Sequence, residues 1–115
     1  MSTAPEATVY RSLALGDTGL VAKDSAARLF GWTLTNSSAA IRYVKIYNKA
    51  TAPTASDTPV FTIGVPTLQT VQFYPSGGVN FSIGLSARCT TAAADNSTAA
   101  ATAGDVLAHL LYKAP

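Results

Sequence analysis

Histidine, cysteine, tryptophan and methionine each occur once in the 115 residues, as His109, Cys89, Trp32 and Met1. One cysteine excludes an internal disulfide and a multi-cysteine metal site. Zinc needs three or four converging His, Cys or carboxylate ligands, and one His and one Cys twenty residues apart do not supply them. No nucleophile signature surrounds Cys89, so its expected place is a strand end, packed as a small hydrophobe. Charge is scarce too: 12% of residues are Asp, Glu, Lys or Arg, about half the usual ~25%. The eight basic residues are scattered except for Arg42, Lys45 and Lys49. That trio reads as a solvated strand face and falls far short of a nucleic-acid stripe. No apolar run approaches the ~18 residues of a membrane span. The first twelve residues lack a basic segment followed by an apolar one, so no secretory signal is read there and folding in the cytosol is expected.

The six acids, Glu6, Asp17, Asp24, Asp57, Asp95 and Asp105, fall in turns or at strand starts, where Asp hydrogen-bonds nearby backbone. A paired-carboxylate glycosidase site is not expected of that distribution. Gly77-Gly78 is not followed by Lys-Ser/Thr, so no phosphate loop is read there. The reading is of a non-enzymatic chain with no cofactor and no metal.

What fills the chain is Ala, Thr, Ser and Gly alongside a normal 48% of apolar residues. The surface is therefore largely neutral and cheap to desolvate, as suits a component of an assembly. One domain is expected at this length, with residues 1–7 a flexible arm and 8–115 the folded unit. Apolar, β-branched and aromatic runs recur between turn signals. They place strands at Thr8–Leu15, Gly19–Lys23, Arg28–Asn36, Ala39–Asn48, Pro59–Val65, Leu68–Tyr74, Val79–Ala87 and Asp105–Tyr112; a short helix also fits the last run. In Arg28–Asn36, alternation puts Phe30, Trp32 and Leu34 on one face. Val79, Phe81, Ile83 and Leu85 alternate most cleanly, as in a half-buried strand. Thr90–Gly104, low in complexity, reads as a surface loop. His109 shares a face with Leu107 and Leu111 and reads as a packed or edge side chain. About eight strands and no long helix predict an all-β antiparallel two-sheet sandwich, in jelly-roll or Greek-key order, with a closed barrel as the alternative.

The run Ala39–Pro66, AAIRYVKIYNKATAPTASDTPVFTIGVP, and the run Phe73–Lys113 resemble a family of small β-rich tailed-phage proteins. That family shows RYvKlYnka-aPt-gtDtPv-tipvP, a Pro-Gly turn, an f-tGl strand, an Ala/Asp/Thr loop, aGDv and a terminal aromatic-Lys strand. Here Gly64 interrupts the Pro59 strand, and Asn80-Phe81-Ser82-Ile83-Gly84 replaces a Ser/Thr-rich strand. The resemblance implies a virion protein made in the host cytoplasm, foremost a capsid decoration (cement) protein bound to the major capsid protein or another virion protein. A homo-oligomer is expected, with no nucleic acid and no membrane. The alternative is a receptor- or glycan-binding module of a head fibre, tail fibre or spike. Exposure-prone positions in the arm and the two polar loops are the expected interface: Thr3, Pro5, Glu6, Val9, Lys49, Pro53, Asp57, Asp95 and Asn96.

Overall fold

The computed structural model of the chain describes residues 7–114. Nine strands form within them: β1 (Thr8–Ser12), β2 (Leu20–Lys23), β3 (Ala27–Asn36), β4 (Arg42–Tyr47), β5 (Phe61–Val65), β6 (Thr70–Phe73), β7 (Val79–Phe81), β8 (Leu85–Thr90) and β9 (Val106–Lys113). Their antiparallel pairing is nested. β4 pairs with β5, β3 with β6 and β7, β2 with β8, and β1 with β9. Rolling this long hairpin over on itself adds the β3–β9 and β4–β8 ladders. The result is one sheet in the order β1-β9-β3-β6, with β7 also on β3, and a second in the order β2-β8-β4-β5. That double-sheet winding is a jelly roll.

The core lies between the sheets. Leu29, Leu34, Val106 and Leu110 enter it from the first, and Val44, Ile46, Leu85 and Cys89 from the second; all are buried. Each large apolar side chain contributes about 1.5–3 kcal/mol by leaving water. Trp32 stacks at a tilt on Phe61 at 5.2 Å between ring centroids, and Phe61 meets Phe81 edge-on at 6.4 Å.

Three local features differ from simple alternation. A bulge between Leu29 and Gly31 opposes two residues of β3 to one of β9. Leu29 is inward before it, Trp32 and Leu34 after it, and Phe30 leaves the face it was expected to share with them. The Val79–Ala87 run divides into β7 and β8 because the chain crosses between sheets at Ser82–Gly84. Asn48 Oδ1 accepts hydrogen bonds there from the Ile83 and Gly84 amides, at 2.9 and 3.3 Å, and Ile83 is 57% exposed. Gly84 is required at this crossing: a Cβ would lie 2.7 Å from the Ala50 Cα and the Lys49 carbonyl oxygen. The β3–β4 turn carries the chain between sheets at the other end. The buried Asn36 amide donates to the carbonyls of Ala40 and Val65, both at 2.9 Å, and its Oδ1 accepts from the Ser38 amide and hydroxyl.

Candidate interaction surface

The two outer faces of the sandwich are finished differently. The outer face of the β2-β8-β4-β5 sheet is roofed by the chain itself. Lys45 and Arg88 are register partners on that face and both are buried. Lys45 Nζ donates to Thr90 Oγ1 at 2.9 Å and to the carbonyls of Ala92 and Ala94 at 3.1 and 2.5 Å. Arg88 donates to the carbonyls of Asp17 and Ser97, at 2.9 and 2.7 Å, and to Tyr47 Oη at 3.1 Å. These contacts hold residues 91–99 over the sheet, and the Thr90–Ala100 bridge closes the base of the excursion. Burial pushes the Lys45 ammonium below its ordinary range, the Arg88 charge adds to this, and Asp95 opposes it. Lys45 is therefore a core anchor and not part of a solvated cationic face.

Among the described residues nothing roofs the outer face of the β1-β9-β3-β6 sheet. Register fixes what it presents. Arg11 lies beside His109, His109 beside Thr33, and Thr33 beside Gln72. In the next row, Val9 lies beside Leu111 and Leu111 beside Gly31. In the row beyond, Lys113 lies beside Arg28 and Arg28 beside Asn80. On the far side Leu107 lies beside Thr35, and Thr35 hydrogen-bonds Thr70 through their hydroxyls at 2.9 Å. The bulge adds Phe30, with Lys113 Nζ 4.8 Å from its ring centre, a cation–π contact. Tyr74 packs over Gly31, where a Cβ would come within 2.0 Å of its ring, and its hydroxyl meets Thr33 Oγ1 at 2.7 Å. An apolar row of Val9, Leu111, Phe30 and Tyr74 thus runs between two rows that hold all the charge. The charged side chains in this grid, Arg11, Arg28 and Lys113, are all cationic. The described acids, Asp17, Asp24, Asp57, Asp95 and Asp105, all lie in connections between strands.

The expected interface residues do not converge. Thr3, Pro5 and Glu6, with the rest of the expected arm up to residue 6, lie outside the described residues. Val9 is 54% exposed on the bare sheet, and Asp95 and Asn96 are exposed on the roof. Pro53 is buried against Gly19 and is not a surface contact. Lys49 and Asp57 spend their charges on each other at 2.7 Å. The Lys49 hydrogen bond holds the Asp57 carboxyl below its ordinary range, helped by the Thr54 amide. Arg11, Phe30, Tyr74, Leu111 and Lys113 were not anticipated as a surface. The signal that could have found them is the confinement of the acids to turns, which leaves the strands with cations only.

Little else offers chemistry. Cys89 is buried in the core, and burial raises its thiol to about 11. Among the described residues no three of His, Cys, Asp and Glu gather as a metal site. A shallow groove lined by Val21, Ala22, Lys23, Asp24, Ala50 and Tyr112 opens where the two sheets part. No protein-family model matches the chain, and no curated protein matches its sequence.

Proposed function

We propose that the chain is a non-enzymatic structural protein of a phage virion that decorates the outer surface of the head. The observation that carries this reading is the unequal finish of the two outer faces. The chain roofs one sheet with its own loop, anchored by two buried cations, while among the described residues Val9 and Tyr74 stand exposed on the other, beside the half-buried Leu111 and Phe30. A rigid jelly roll with one unroofed face is built to adhere. The resemblance of Ala39–Pro66 and Phe73–Lys113 to small tailed-phage proteins supplies the setting. Several copies on a symmetric shell multiply weak contacts through avidity. The test is uptake of fluorescent full-length chain by purified heads lacking it: saturable uptake supports the reading and its absence refutes it. Deleting residues 1–7 in the same assay reports on the arm, which unchanged occupancy removes from the mechanism.

One observation favours a second reading, a glycan-binding module. Tyr74 is 52% exposed, packed over Gly31 with its hydroxyl held by Thr33. A fixed aromatic face beside hydroxyl groups suits stacking on a sugar ring. Selective binding on a glycan array that is lost in Tyr74→Ala distinguishes it.

A further inference from the structure

We infer that the outer face of the β1-β9-β3-β6 sheet docks on an acidic protein surface that carries an apolar ridge. The inference rests on the adhesive reading above and names the face and the chemistry of its partner. Three properties of the face favour such a partner.

The first is charge. Lys113 and Arg28 stand side by side across the strands, and Arg11 adds a third cation on the other side of the apolar row. Like-charged neighbours across strands are destabilising, and no described acid stands among them to offset this. A carboxylate-bearing partner relieves that repulsion. A second copy presenting the same face does not, because it would set cation against cation. The second is the order of the rows. Val9, Leu111, Phe30 and Tyr74 make an apolar centre, and the cationic rows make its rim. Protein interfaces have that anatomy, with charge depleted at the core and kept at the edge. A nucleic-acid site needs the reverse emphasis, with cations tracking a continuous backbone. The third is size. Four strands about 4.8 Å apart and four rows about 6.8 Å apart give a face on the order of 500 Å². That is roughly two thirds of the ~800 Å² per partner in a stable complex. One copy therefore binds weakly, and retention comes from many copies.

The experiment is an amide-shift NMR titration of the ¹⁵N-labelled full chain with a soluble peptide of alternating Glu and Leu. A Lys/Leu peptide and an oligothymidylate serve as comparisons. The Glu/Leu peptide is expected to shift amides of β1, β9, β3 and β6, with affinity falling as salt rises. The double variant Arg11→Glu/Lys113→Glu is expected to weaken it about tenfold or more. Arg11→Gln/Lys113→Gln, checked for an unchanged fold by its spectrum, is expected to fall between. Three results overturn the inference: no shifts up to about 1 mM peptide, shifts confined to the roofed sheet, or binding of the Lys/Leu peptide or the oligothymidylate at least as tight. The head-uptake assay separates the two readings. Full uptake of the Glu double variant leaves the adhesive reading standing and removes this face from it. Peptide binding without any uptake by heads leaves the face and removes the head.

Discussion

Lys45 and Arg88 show how residue type misleads when the burying partners are distant in sequence. Both look like surface cations, and Lys45 falls in the one local basic cluster of the chain. What covers them arrives from Asp17 and from residues 90–97, and nothing near Lys45 announces that loop as a lid. Their heads are satisfied by neutral oxygens, so the long side chains act as struts. Lys45→Ala is expected to cost about 2–4 kcal/mol in chemical denaturation, through lost stem packing and orphaned carbonyls. Lys45→Met, which restores the volume, should cost less; an unchanged midpoint for the alanine variant contradicts the strut role. Cys89, by contrast, was legible as a lone thiol packed as a small hydrophobe, although it lies within β8 and not at the end of a strand. Its folded thiol titrates near 11 against an ordinary 9.0. An acid raised on folding contributes stability fully present below its unfolded value and lost as pH rises toward the folded one. Cys89→Ala removes that dependence. The stability gap between parent and variant is therefore expected to narrow between pH 9 and 11, by at most about 1.4 kcal/mol per pH unit. Iodoacetamide should label the native chain only as fast as it unfolds.

At the scale of elements, most strands were readable, but β7 and β8 were read as one strand and most strand ends were misplaced. Alternation marked β3 and β9, and it failed in two places where the backbone changes phase. The bulge at Phe30–Gly31 is invisible to a period of two, because the extra residue shifts every later side chain to the other face. Its requirement is spatial: Tyr74 occupies the space where a side chain on Gly31 would sit. Gly31→Ala is expected to destabilise by about 1–3 kcal/mol and to displace Tyr74. Combining it with Tyr74→Ala should recover part of the loss in a double-mutant cycle; strict additivity contradicts the contact. The Ser82–Gly84 crossing hides in an apparently perfect strand because Ile83 has the right polarity and only Asn48, from another strand end, breaks the ladder. The loop after β4 is closed by Lys49 and Asp57, whose carboxyl is held low. A depressed acid contributes stability present above its ordinary range and lost as pH falls through its folded value. Amide protection factors in residues 49–58, corrected for intrinsic exchange, should fall selectively in acid, and Asp57→Asn should remove that pH dependence.

For the whole molecule, turn spacing and the scarcity of helix signals made a sandwich readable, and the nested order of its strands was not. Strand order depends on which distant runs pair, such as Thr8 with Tyr112, and composition does not encode that. The docking face was equally hidden. Its members come from four strands between residues 9 and 113, and the sequence directed attention to the polar loops instead. One of those loops is roofing held from beneath, and the other is tied to its own scaffold. The account therefore predicts a definite orientation on the particle. Cryo-EM of heads carrying the full-length chain is the direct test. The predicted map has Arg11, Phe30, Leu111 and Lys113 against acidic density of the shell, with residues 91–99 turned to solvent. A map with that sheet facing solvent and the 91–99 roof in contact contradicts it.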